Sequence, residues 1–239
     1  MEPSLSGKAY EVIKRDIITC VLEPGQQIAQ PQLAEKHRIG LTPVREALRR
    51  LAQEGFVQAI PRFGYIVSPV TFADVYEVYE LRAIVESAAV RLAAIRAADE
   101  QLTKILKSAS FTYVYRDRES YSHFLALNKE WHRSVVAIAG NQRMVDLISK
   151  TLDELTRVFH LGLDLRDSAE EMRSEHLALA AALRDRDPDR AEKIVQSQIA
   201  RSQARVLEAL TNRLGNAPPS SLQQTMQVRP RDPDSQRKS

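Results

Sequence analysis

The 239-residue sequence predicts a mainly α-helical fold in two parts: three short helices with a small β-hairpin, then an all-α antiparallel helical bundle. Three observations carry this. Apolar residues recur at spacings of three and four over most of the chain, as amphipathic helices require. Two short β-type runs, "FVQAI" and "YIVSPV", flank "PRFG" and read as one hairpin. After residue 72, glycine and proline become scarce until Gly215, and only short turns such as "AAD", "AGN" and "RDRDPD" interrupt the periodicity.

The first helix follows from "KAYEVIKRDIITCV", where Ala9, Val12, Ile13 and Ile17 share a face. Pro24-Gly25 is the turn expected to end it. "QPQLAEKH" restarts a short helix, with Gln30 as its cap and Pro31 at its first position, where the missing N–H costs nothing. "RIGL" is a turn. Thr42 is then expected to cap the third helix through its hydroxyl, with Pro43 at its first position and Gly55 at its end. Helical periodicity resumes over 72–97, 99–115, 118–139, 142–164, 168–186 and 188–213, and short turns between such segments describe an antiparallel bundle. The expected division is therefore 1–71, 72–214 and a polar, proline-containing tail over 215–239 predicted to be disordered.

Composition narrows the function classes. The chain is 44% hydrophobic and 27% charged with a net charge of +3, which permits a nucleic-acid partner without demanding one. Cys20 is the only cysteine, which excludes an internal disulfide and a thiolate metal cluster. The amino terminus has no continuous apolar core of the signal-peptide kind, and no apolar run approaches the ~20 residues of a membrane span. A cytoplasmic protein is expected.

In "LTPVREALRRL", Val44, Ala47, Leu48 and Leu51 form the apolar stripe, with Thr42, Arg45 and Arg49 opposite. Glu46 and Arg50 are spaced to pair. By itself this is a solvated, salt-bridged helix face. As the second helix of a helix-turn-helix, its N-terminal residues would reach base edges, and arginine forks suit guanine or phosphate. Arg62 and Gly64 at the hairpin tip would form a basic, close-approaching wing. The stretch "LEPGQQIAQPQLAEKHRIGLTPVREALRRLAQEGFVQAIPRFGYIV" closely resembles the winged helix-turn-helix of GntR-family transcription regulators. Its "QLAE", "TPVREAL..L..EG" and "RFGYIV" segments carry the likeness. The resemblance implies that Thr42 and Arg45 contact DNA. Arg38, Arg49 and Arg62 are added on geometry. The family's Ser-Arg before Thr-Pro is replaced here by Gly40-Leu41, so the family's operator sequence does not carry over.

Polar residues interrupt four apolar stripes of the second part: Arg82 among Val78, Val85, Ala89 and Leu92; Asn128 and His132 beside Phe124, Leu127, Trp131 and Val135; His176 among Met172, Leu179 and Leu183; Gln198 near Ile194 and Val206. An unpartnered buried polar group costs roughly 1–3 kcal/mol, so four on separate helices suggest one shared, satisfied pocket. Separate core residues are the plainer alternative, with Arg82 pairing Glu86 on its own helix. "YELRAIVESAAVRLAA", "LNKEWHRSVVAIAGN" and "EHLALAAALRDRDPDRAEKIVQSQIARS" resemble the FCD effector domain of the FadR branch of the GntR family. That resemblance implies a pocket in which Asp and three His hold a divalent metal (zinc, nickel or manganese) beside a small carboxylate effector. Here the corresponding residues are Asn128, His132, His176 and Gln198. Two imidazoles and two amides leave a dication uncompensated. The expectation is a metal-free hydrogen-bonding site in which Arg82 clamps a carboxylate.

Two functions fit. One is a homodimeric repressor of roughly palindromic double-stranded operator DNA, released by a small carboxylic acid. The other is an enzyme-like or small-molecule-binding module built on Asn128, His132 and His176. The absence of a Ser-His-Asp set, a Gly-rich phosphate loop and a His-Glu-x-x-His pattern favours the repressor, and no catalytic residue is assigned.

Overall fold

The computed structural model describes residues 4–162 and 167–215. Apart from Gly215, the tail expected to be disordered lies outside the described residues. In the amino-terminal part, helices α1 (Leu5–Ile18), α2 (Gln30–His37) and α3 (Leu41–Gln53) pack against strands β1 (Gln27–Ile28), β2 (Val57–Ile60) and β3 (Gly64–Val67). Ala9, Ile13 and Ile17 of α1 meet Val44, Leu48 and Leu51 of α3 in a closed apolar core. The expected hairpin is present, but β1 joins it, giving an antiparallel sheet of order β1-β3-β2.

Several local expectations are corrected. α1 ends at Ile18, and the backbone turns at Cys20, φ 56°, well before Pro24-Gly25. Ala29, not Gln30, precedes α2, and no side chain caps that helix. Thr42 does not cap α3. The chain is still extended at Gly40 and already helical at Leu41, so Thr42 falls inside the first turn. Pro43 is tolerated one position later because first-turn N–H groups lack intrahelical partners anyway. Gly55 does end α3, at φ 84°, a conformation that glycine adopts without strain. Arg50 bonds forward to Glu54 at 3.1 Å and lies 3.6 Å over the Tyr10 ring, so it is not paired with Glu46.

The second part comprises α4 (Phe72–Arg96), α5 (Asp99–Lys107), α6 (Arg118–Ile138), α7 (Gln142–Gly162), α8 (Ala169–Arg184) and α9 (Pro188–Gly215). α4 starts with a capping box, Thr71 Oγ1 accepting from Asp74 N and Asp74 Oδ2 from Thr71 N. It then runs alongside α9, bonding through Tyr79 and Ser202 at 2.7 Å. The helix expected over 99–115 stops at Lys107. Ser108 donates its hydroxyl back to the carbonyls of Lys104 and Ile105. Burial of Tyr113, which packs on Phe124 and Tyr121, then outweighs further helix. Residues 108–117 form an irregular strap across the bundle instead.

Candidate functional site

On α3 the sequence stripe separates as expected. Val44, Ala47, Leu48 and Leu51 are buried, while Thr42, Arg45 and Arg49 are exposed. With no side chain over its first turn, the helix keeps the partial positive charge of its amino terminus turned outward. Arg38 is exposed in the left-handed turn between α2 and α3. Arg62 is exposed in the turn between β2 and β3, at φ 68°. Gly64, at φ 91°, has a backbone that favours glycine, and a Cβ there would sit 3.9 Å from Gln30 Nε2. The opposite end of the same amide, Gln30 Oε1, accepts from Arg45 Nε at 3.3 Å. Gln30 therefore places the wing beside the arginine-bearing face of α3. Sequence reasoning saw Gln30 only as a cap.

Three of the polar intruders of the bundle, Arg82, His132 and His176, meet. Arg82 of α4 binds Glu86 through Nε, and its Nη2 lies 3.4 Å from His132 Nε2 on α6. His132 Nδ1 lies 2.9 Å from the other Glu86 oxygen. All three side chains are at most 3% exposed, and they close a ring. An ionised carboxylate only accepts, so Nδ1 carries the hydrogen and the Nε2 lone pair faces the guanidinium. Burial alone would raise the Glu86 pKa, but the charge of Arg82 and the hydrogen bonds from Arg82 and His132 bring it down to about 2. Burial likewise opposes the charge of Arg82, and Glu86 more than restores it.

Next to this satisfied ring are groups with nothing to bond. His176 of α8 is fully buried, and neither ring nitrogen has a hydrogen-bond partner. Asn128 Oδ1 on α6 and Gln198 Oε1 on α9 are buried and unpaired too. Aromatic rings wall His176: Phe111 of the strap at 4.7 Å, Trp131 at 4.8 Å and His132 at 5.4 Å. Burial, with the charge of Arg82 nearby, keeps His176 well below the ordinary histidine range and hence neutral. Buried polar atoms are nearly always paired, so the two free nitrogens of His176, beside the Arg82–Glu86–His132 ring, stand out. An open groove of about 770 Å³ between α8 and α9 is separate. Glu175, Lys193 and Arg201 line it, and none of the five sequence-predicted pocket residues does.

A divalent metal does not fit these donors. His132 presents Nδ1 to Glu86 and Nε2 to a guanidinium that would repel a dication. Asn128 and Gln198 bring no charge. Among the described residues, no cluster of three or more His, Cys, Asp or Glu could hold a metal ion.

All five residues singled out by spacing, Arg82, Asn128, His132, His176 and Gln198, are buried, whereas Glu86 had entered only as a rival partner for Arg82. The i, i+4 spacing was visible; the second contact, to His132, was not. Leu127 is corrected: it is 40% exposed, and Leu125 is buried in its stead. Phe111 was hidden by the helix expected over 99–115.

Residues 77–201 match the FCD domain family, and residues 5–67 match the family described as bacterial regulatory proteins, gntR family. The chain is 26% identical to the HTH-type transcriptional repressor RspR of Escherichia coli K12, over 80% of this chain and 83% of that protein. It is 25% identical to the HTH-type transcriptional repressor GlaR of the same strain, over 82% and 92%. Among solved structures, E. coli McbR/YncC superposes with a TM-score of 0.73 at 19% identity, covering 87% of this chain and all of that one.

Proposed function

Because this chain belongs to the gntR family of bacterial regulatory proteins and carries its FCD domain, we propose that it is a transcriptional repressor released by a small carboxylic acid. That family comprises DNA-binding regulators rather than enzymes, and two of the relatives named above are repressors. In this proposal a homodimer holds two α3 helices against a roughly palindromic duplex, as two-fold symmetry requires. Arg45 and Thr42 reach into the groove, and Arg38, Arg49 and the Arg62 wing engage phosphates.

The effector half rests on one observation: the unpaired nitrogens of His176 beside His132 and Arg82, with Asn128 and Gln198 also buried and unpaired on α6 and α9. A guanidinium has five N–H donors, so a ligand carboxylate can share Arg82 with Glu86. The orphaned amide oxygens accept hydrogen bonds and therefore suit hydroxyl groups. Hydroxy acids and sugar acids combine both features. Phe111 covers His176, so entry requires the strap to lift.

The test pairs a gel shift with a thermal-shift screen of hydroxy acids and sugar acids. The protein is expected to bind duplex DNA with an affinity that falls as salt rises, through counterion release. An acid that raises the melting temperature is expected to weaken DNA binding, since it acts only through its differential affinity for two states. Acids that bind the pocket and leave DNA affinity unchanged would remove the effector role.

A further inference from the structure

A run of partly buried charges, centred on the buried Asp153, crosses from α6 to the DNA-facing helix. Lys129 follows Asn128 on α6, and its ammonium binds Asp153 Oδ1 on α7. The other Asp153 oxygen binds Lys14 of α1 at 2.8 Å. Lys14 also lies 3.7 Å from Glu54, the residue immediately after α3. Glu54 is held in turn by the Tyr10 hydroxyl at 2.6 Å and by Arg50 at 3.1 Å. The Lys14 ammonium lies 5.1 Å from the centre of the Phe56 ring, just beyond α3. One turn further along α7, Arg157 donates to the Ser68 carbonyl immediately after β3, and its own carbonyl accepts from Cys20 Sγ at 3.4 Å. Two residues of α7, a turn apart, thus hold Lys14 of α1, Cys20 just beyond α1 and Ser68 just beyond the wing strand, and Lys14 reaches on to Glu54.

The chemistry of this junction is asymmetric. A single carboxylate, 9% exposed, serves two ammonium groups on different elements. Solvent screens a buried carboxylate less than a surface one, so the two partly buried lysines sense each other through Asp153. A shift of α6 that draws Lys129 off Asp153 changes the hold on Lys14, and through it the seating of Glu54 and α3.

We propose that Asp153 couples occupancy of the pocket to the position of α3, with Lys129 as its pocket arm and Lys14 as its DNA-side arm. The proposal rests on the regulator function above and names how that site is read out. Coupling between two binding sites is reciprocal, so DNA bound at α3 must act back on α6. The chain carries its own reporter of that effect. Trp131 on α6 is the only tryptophan and packs on His176 and His132.

The experiment uses the full chain and a duplex recovered by selection from random sequence with the wild-type protein. DNA binding is followed by anisotropy of labelled duplex, and Trp131 emission is followed in parallel. The wild type is expected to show a saturating emission change with the same midpoint as binding. Lys14→Met and Lys129→Met are each expected to bind at raised protein concentration but to lose more than half of that change. An unchanged emission response in both variants, or a silent Trp131 in DNA-saturated wild type, would overturn the coupling. Asp153→Asn, which keeps the shape and drops the charge, is expected to match the lysine variants, and those decide the matter if it does not fold. A wild-type protein that recovers no duplex would count against DNA recognition itself, a separate outcome.

Discussion

Arg45 and Arg82 are the same residue placed in opposite circumstances. Arg45 stands exposed on α3, and its one hydrogen bond is a neutral amide at 3.3 Å. Arg82 lies inside the bundle, its charge already answered by Glu86 and bordered by His132. The first keeps water until an anion replaces it. The second has given up water, and the fold depends on its partners. The recognition surface can therefore change with little effect on stability, whereas the pocket cannot.

The largest effect that can break this contrast is Arg82→Met. Stranding the Glu86 carboxylate is expected to destabilise the chain by about 3–5 kcal/mol in chemical denaturation. Arg82→Met with Glu86→Met should recover much of that loss. Arg45→Ala should change stability by no more than about 0.5 kcal/mol. Equal losses at the two arginines would erase the distinction.

Acid comes next. His160 is pushed down to about 4, chiefly by burial, and His176 is depressed for the same reason. Depressed folded values mean that the unfolded chain binds protons first as pH falls. Stability from these groups is complete above about pH 6.5 and declines below it, by up to about 1.4 kcal/mol per pH unit for each histidine. Glu86 adds a second loss as pH falls from about 4.5 toward 2. Urea midpoints between pH 8 and 5 check the first decline, and His176→Gln should flatten it. A midpoint constant over that range would contradict the burial of neutral imidazoles.

On the DNA side, Arg45→Ala is expected to weaken duplex binding by about 1–3 kcal/mol and relax preference at one position, measured by competition among base-substituted duplexes. Uniform weakening would make Arg45 a phosphate contact. The smallest expected difference sets two threonines against each other. Thr71→Ala removes a capping box and should cost about 1 kcal/mol, while Thr42→Ala removes no cap and should cost less than about 0.5 kcal/mol. Thermal melts of the two variants compare them directly.

Much of this was legible in the sequence because periodicity is a local signal. The buried stripe of α3 and the polar interruptions at Arg82, Asn128, His132, His176 and Gln198 follow from spacing alone. The closing of the Arg82–Glu86–His132 ring was not legible, since its last contact joins residues 46 apart on different helices. The strap was missed for another reason. Its residues are compatible with helix, and only packing on Phe124 and His176 decides against one. Caps were misplaced at Gln30 and Thr42 because a proline admits more than one start for the helix around it.

The strap also governs time. His176 has no exposed surface, and Phe111 lies on it, so nothing reaches those nitrogens until that ring swings aside. In the effector role proposed above, arrival and departure of the acid would be limited by how often the segment opens, whatever the strength of the bonds within. A tightly and a weakly held compound could share one ceiling on their exchange rate, and a genetic response wired to this chamber would keep the tempo of its cover.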